Sequence, residues 1–125
     1  MIDIDEFCEL LDEVCDELPE EFYRELHHGI VVDESAKVSP HATNNDLWIL
    51  GDYQRTGYGN KITIYYGSFE KMYGWLDRER LREKLREVVR HEFRHHMENL
   101  SGMHGADSLE REDIEFIKQY KRERQ

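Results

Sequence analysis

The sequence predicts an α+β fold: a small, mostly antiparallel sheet of about three strands covered by helices. Two long segments, near the N-terminus and from Asp77 to about Gly102, carry apolar residues at helical spacing. Short β-branched and aromatic runs lie between them, separated by turn residues, as is typical of strands. No repeat or change of composition divides the 125 residues, so we expect one domain over residues 1–125.

The N-terminal helical segments are bounded by residues that cap or interrupt helices. Apolar residues recur at helical spacing over residues 4 to about 18, and Asp3 or Asp5 can act as the N-cap. Pro19 suits the first turn of a helix, so a second helical segment is expected after it. Gly29 would end that segment.

Three runs predict the strands of the sheet. Residues 30–32 are β-branched, residues 47–53 are largely apolar, and residues 61–66 alternate before becoming aromatic. The segment 33–45 is expected to be a loop. The polar segment 54–60 is expected to be a turn, which would join the last two strands as a hairpin or close antiparallel pair.

Helix-capping residues also mark the C-terminal part. Ser68 can cap a short helix that ends near Gly74, and Asp77 can cap the long helix that follows. That helix should end around Gly102, and Ser108 resembles the start of another.

The chemically most specific signal is the pentapeptide HEFRH at residues 91–95, which matches the H-E-x-x-H pattern of zinc hydrolases. Histidines four apart on a helix lie one turn above each other and can bind one metal ion, which would make His91 and His95 ligands. Glu92 would act as the general base. A neighbour of His95 points about 100° away on a helix, so His96 is expected to pack or hydrogen-bond rather than to bind metal.

Composition narrows the function classes. A net charge of −11 argues against a nucleic-acid partner, and glutamates are interleaved with the basic residues of segment 78–94. The acidic first residues do not resemble a signal peptide, and no apolar run approaches the length of a membrane span, so a cytoplasmic protein is expected. Cys8 and Cys15 would lie about 10 Å apart along one helix, too far for a disulfide. They are expected to be buried thiols.

The chain resembles the small bacterial zincin-like metallopeptidase family. The resemblance rests on the segments HEFRHHMENLSG, NKITIYYGSF, NNDLWILGDY and DSLEREDIEF, whose order matches over nearly the whole chain. It implies a minimal zincin fold, peptidase chemistry, His91 and His95 as zinc ligands, Glu92 as base, and an acidic ligand further along the chain.

The third metal ligand is not fixed by the pattern. Compact relatives read H-E-x-x-H-x-x-G-x-x-D, but Glu98 and Ser101 occupy the glycine and aspartate positions here. Asp107 follows two glycines that permit a sharp reversal, and the resemblance favours an aspartate after such a turn, so Asp107 is the expected ligand. The alternatives left open are His104, Glu98 and Glu110.

The function predicted from these observations is zinc-dependent hydrolysis of peptide bonds, with a peptide or an unfolded protein as substrate and with neither nucleic acid nor membrane as partner. The substrate could add a strand to the sheet along residues 62–66. A non-catalytic zinc-binding module is one alternative, although such a site needs no base like Glu92. A zinc-dependent ribonuclease is another, against which the net charge counts. The oligomeric state stays open.

Overall fold

The computed structural model describes residues 1–41 and 47–102, and these residues form an α+β arrangement. The elements in chain order are α1 (Ile4–Cys15), a 3₁₀ turn (Glu20–Tyr23), β1 (Ile30–Asp33), β2 (Lys37–Val38), β3 (Trp48–Ile49), β4 (Gly51–Thr56), β5 (Gly59–Tyr65), α2 (Tyr66–Tyr73) and α3 (Arg78–Leu100). The predicted α+β class is therefore confirmed.

The main sheet has three strands in the order β1-β5-β4. β4 and β5 form the predicted antiparallel hairpin, in which Thr56 pairs with Gly59. β1 instead runs parallel to β5, with Ile30 opposite Ile62. The expectation of a mostly antiparallel sheet is therefore wrong for β1, because the chain crosses over through β2, β3 and β4 before it returns as β5. β2 and β3 form a separate antiparallel pair.

Local capping predictions are confirmed at both long helices. The Asp3 carboxylate accepts the Glu6 amide hydrogen at 2.8 Å, and the Asp77 carboxylate accepts that of Arg80 at 2.9 Å. These bonds satisfy amide hydrogens that the first helical turn leaves without partners. The long helix ends at Leu100, close to the expected end.

Several boundaries differ from the expected ones. The second helical segment is only a 3₁₀ turn (Glu20–Tyr23), and Glu25 beyond it has a φ of 59°, which no right-handed helix can contain. The predicted strand 47–53 divides at Leu50, because its first part pairs with β2, which lies inside the segment predicted as loop. Ser68 does not cap α2. Its hydroxyl accepts the Lys37 amide hydrogen at 2.9 Å instead.

The core lies between one face of the main sheet and the helices α1 and α3. Arginines of α3 pair with two glutamates of the N-terminal region, and the closest pair joins Arg86 Nε to Glu17 Oε1 at 2.7 Å. Cys8 and Cys15 are free thiols, both half-buried on α1. Among the helices described for this chain, none is both long and apolar enough to cross a membrane. The fully buried apolar side chains include Phe7, Leu10, Ile62, Ile64, Phe69, Leu85 and Val89.

Candidate metal centre

The H-E-x-x-H segment lies in the second half of α3, whose regular backbone continues to Leu100. His91, Glu92 and His95 therefore fall within an arc of about 100° on the helix surface. Neighbouring positions of the same turns are fixed in the core by Val89, which is fully buried, and Phe93, which is 1% exposed. The core thus holds the rotation of the helix that presents these three side chains.

The two imidazole rings of the motif lie one helical turn apart. The ring centroids of His91 and His95 are separated by 5.0 Å, with an interplanar angle of 83°. Two imidazoles bound to one tetrahedral zinc through bonds of about 2.0–2.1 Å would have their centroids about 5 Å apart. The observed separation therefore fits a pair of nitrogen ligands to one metal ion. Both side chains are half-buried, so they are held in place and yet reachable from solvent.

Glu92 directly follows His91 in the sequence, and its side chain is buried, with only 6% of the residue's surface exposed. A carboxylate in so little solvent is costly unless polar groups or a cation surround it. Its position one residue after His91 and three before His95 is the one that H-E-x-x-H hydrolases use for their base. The arrangement therefore supplies two nitrogen donors and one buried carboxylate on adjacent parts of a single helix.

The described residues do not complete a metal site by themselves. Within residues 1–41 and 47–102, no group of three or more His, Cys, Asp or Glu side chains is placed to hold a metal ion. Glu98, one of the candidate third ligands, lies in α3 three residues after His95. Asp107, His104 and Glu110 lie outside the described residues, so the choice of third ligand stays a prediction.

His96 faces the core rather than the surface of the helix. It is fully buried, and both ring nitrogens have partners: Nδ1 lies 2.6 Å from the hydroxyl of Tyr53, and Nε2 lies 2.7 Å from the carbonyl oxygen of Arg24. Neither nitrogen has a lone pair left for a metal while these bonds exist, which agrees with the expectation that His96 does not act as a ligand.

β4 packs more extensively against the motif helix than β5 does, although β5 contains the residues that the sequence analysis expects to bind the substrate. Residues 62–66 are expected from the sequence to offer a backbone edge to a peptide, but β5 is paired with β1 on one side and with β4 on the other. That expectation is wrong, because a strand with two neighbours has no backbone groups left for a third. Among the described strands, β4 pairs only with β5, so its other edge is open. A Cβ atom added at Gly51 of β4 would lie only 3.0 Å from Val88 Cγ1 of α3, which shows how closely this strand approaches the helix.

Sequence reasoning misses the polar residues that join β4 to α3. It assigns Tyr53 only to a strand, and it gives Asn99 and Arg24 no role. The signal available in the sequence is weak: a tyrosine within an apolar strand and an asparagine near a predicted helix end. The pairing partners of such residues depend on how the strand lies across the helix, which no local pattern encodes.

No protein-family model matches the chain, and no curated protein matches it significantly. A solved structure does match: a conserved hypothetical protein from Thermus thermophilus superimposes with a TM-score of 0.69 at 32% sequence identity. The match covers 82% of this chain and 100% of that chain. At this identity and coverage the two chains belong to one family. That protein is described only as hypothetical, so the match shows the shared fold.

Proposed function

We propose that this family member is a zinc-dependent metallopeptidase, a hydrolase built on a minimal zincin fold. The observation that carries the proposal is the 5.0 Å separation of the His91 and His95 rings on a core-anchored helix, beside the buried carboxylate of Glu92. Two nitrogens and a neighbouring carboxylate are the parts of an H-E-x-x-H hydrolase that a single helix can supply.

His91 and His95 would hold the metal through one ring nitrogen each. Zinc, when bound, makes a water molecule acidic enough to yield hydroxide near neutral pH and polarises a carbonyl group. Glu92 would accept the proton of the attacking water on a carboxylate oxygen. It would then deliver that proton to the leaving amine, so that the peptide bond breaks into a carboxylate and an amine with no further reactant.

The third protein ligand is proposed to be Asp107, with His104, Glu98 and Glu110 as the alternatives. Two histidines and one carboxylate leave a fourth tetrahedral position for water, as a catalytic zinc site requires. Single alanine variants at these four positions, compared by competition with a chelator, identify the ligand: its loss should lower zinc affinity by well over the 10–100-fold typical of a residue that only supports a ligand.

The substrate is proposed to be a peptide or an unfolded segment of protein, lying along β4. An edge strand binds an extended peptide through backbone hydrogen bonds and so recognises the chain before its side chains. β4 approaches α3 closely at Gly51, where the lack of a side chain leaves room for Val88. A peptide on this edge would therefore lie next to the helix that bears His91 and His95.

The proposal is tested by Glu92→Gln, which keeps the shape of the side chain but removes its ability to take up a proton. We expect the variant to retain zinc and fold but to lose hydrolysis of a peptide library by a factor of about 10² or more. Glu87→Gln is the matched control, because Glu87 is an exposed glutamate of the same helix that pairs only loosely, at 3.6 Å, with Lys84.

Products are read by mass spectrometry of the library after incubation with zinc-loaded protein. Equal cleavage by wild type and Glu92→Gln would remove Glu92 as the base. Zinc binding without cleavage by any of the three proteins would make the chain a non-catalytic zinc-binding module. Cleavage of RNA but not of peptides would favour the ribonuclease alternative.

A further inference from the structure

A directed chain of hydrogen bonds joins the edge strand β4 to the last turns of α3 and to the loop after the 3₁₀ turn. Asn99 Nδ2 donates to the Tyr53 hydroxyl oxygen at 2.9 Å. That oxygen lies 2.6 Å from His96 Nδ1, and His96 Nε2 lies 2.7 Å from the Arg24 carbonyl oxygen. Three separate parts of the fold therefore meet at one fully buried imidazole.

The Arg24 carbonyl oxygen, at the end of this chain of hydrogen bonds, determines which atom donates in each bond. A backbone carbonyl oxygen can only accept, so His96 Nε2 must carry a hydrogen. In the neutral ring Nδ1 is then an acceptor, and the Tyr53 hydroxyl must donate to it. Burial raises the pKa of Tyr53 above its usual value, so this hydroxyl keeps its proton at neutral pH. The same oxygen accepts from Asn99, so the donors and acceptors alternate in one direction along the whole chain of bonds.

A strained residue borders the carbonyl that terminates this chain. Glu25, directly after Arg24, has a φ of 59°, in the left-handed region that non-glycine residues seldom occupy. Its own carbonyl oxygen accepts from Asn60 Nδ2 at 3.0 Å, which ties the loop to β5. Such strain persists where surrounding contacts enforce it. The loop is therefore held with the Arg24 carbonyl at the ring of His96.

We infer that Tyr53 and His96 are positioning residues of the proposed metal centre: they fix α3 against β4 at the residue that follows His95. This inference rests on the proposed function for the identity of the centre. A ring tied at both nitrogens cannot rotate about its bonds, so the helix turn that bears it cannot shift along β4. His95 shares that turn, and Glu92 lies one turn before His96 on the same side. The hydrogen bonds thereby set where the ligand and the base stand relative to the strand edge.

The test compares the removal of a hydroxyl group from two tyrosines, of which only one is bonded to His96. Tyr53→Phe removes the hydroxyl that bonds to His96. Tyr23→Phe is the matched control, because its hydroxyl donates to the Cys15 carbonyl at 2.7 Å and its ring packs against Phe93 of the same helix. Both tyrosines are half-buried. We expect zinc affinity, measured by chelator competition, to fall about 10–100-fold in Tyr53→Phe and less than about threefold in Tyr23→Phe. If the wild type binds zinc, equal zinc affinities in the two variants would overturn the inference.

Hydrogen exchange of the metal-free protein tests the same inference without zinc, and so separates it from the proposed function. Amides of residues 51–56 and 93–99 should exchange at least about ten times faster in Tyr53→Phe than in Tyr23→Phe. A wild-type protein that binds no zinc but shows this difference would refute the metal centre and keep the positioning role. Equal exchange in both variants would refute the positioning role whatever the metal does.

Substitution of the histidine supplies a rescue experiment. His96→Gln keeps one donor and one acceptor on a flexible side chain, whereas His96→Leu keeps neither. We expect His96→Gln to retain more zinc affinity and slower exchange than His96→Leu. Nitrogen-15 shifts of the His96 ring should show the hydrogen on Nε2. A ring with the hydrogen on Nδ1 alone would have no hydrogen on Nε2 to donate to the Arg24 carbonyl oxygen, and this result would contradict the inference.

Discussion

Replacing Gly51 with alanine tests how closely the edge strand lies against the motif helix. A Cβ atom built at Gly51 would lie 3.0 Å from Val88 Cγ1, 3.1 Å from Ile64 Cδ1 and 3.2 Å from the Thr63 carbonyl oxygen. All three distances are shorter than ordinary van der Waals contact of about 3.5–4.0 Å, so β4 or its neighbours must move by a few tenths of an ångström. Overpacking of a filled core costs about 1–3 kcal/mol. Because the side chains can yield in part, we expect the lower half of that range.

The assay is urea unfolding of wild type, Gly51→Ala, Val88→Ala and the double variant. Val88→Ala removes the atom nearest the new methyl group, so the double variant should be more stable than the sum of the single effects by about 0.5–1 kcal/mol. Relief is incomplete because the Thr63 carbonyl is backbone. Gly57→Ala is the control: no atom lies within 4 Å of a Cβ built there, and we expect a change below about 0.5 kcal/mol. Additive effects, or equal effects of Gly51→Ala and Gly57→Ala, would refute the close approach.

Two further predictions concern groups whose pKa the fold changes. Burial raises the pKa of Cys15 to about 11, and burial together with nearby carboxylates also raises the pKa of Cys8. A thiol reagent at neutral pH should therefore label Cys8 first and Cys15 only on unfolding. Faster labelling of Cys15 than of Cys8 would contradict this prediction. The hydrogen bond from Arg86 lowers the pKa of Glu17 in the folded protein. This pair therefore stabilises the fold fully at pH values above the pKa that Glu17 has in the unfolded chain. The stabilisation is lost as the pH falls through the lowered pKa of the folded state. Arg86→Gln should therefore lower the urea midpoint at neutral pH but not in acid, and a difference from wild type that persists in acid would contradict the role of this pair.

The parts of the fold that the sequence predicts correctly are those governed by neighbours in the chain. Asp77 caps its helix as predicted, and Asp3, one of the two candidates, caps the first helix, because a cap involves a side chain and an amide only three residues apart. The β4–β5 hairpin is predicted for the same reason, since a short polar turn joins two apolar runs. The helical placement of His91, Glu92 and His95 needs only the spacing of apolar residues in α3.

The parts that the sequence does not predict depend on contacts between distant segments. β2 is two residues long and exists only because β3 pairs with it, so no periodicity marks it. The parallel pairing of β1 with β5 makes β5 a central strand and leaves β1 and β4 as the edge strands of the main sheet among the described residues. The bonds of His96 to Tyr53 and Arg24 span 43 and 72 residues of sequence, a range at which local patterns carry no information.

The most direct test of the metal centre is a zinc titration of the full chain, purified without a metal-affinity step. Wild type should bind one zinc ion per chain, and His91→Ala combined with His95→Ala should abolish that binding, because the pair at 5.0 Å supplies both nitrogen ligands. His27→Ala combined with His28→Ala removes as many imidazoles elsewhere and should bind zinc like wild type. Equal zinc content in all three proteins, or none in wild type, would contradict the account.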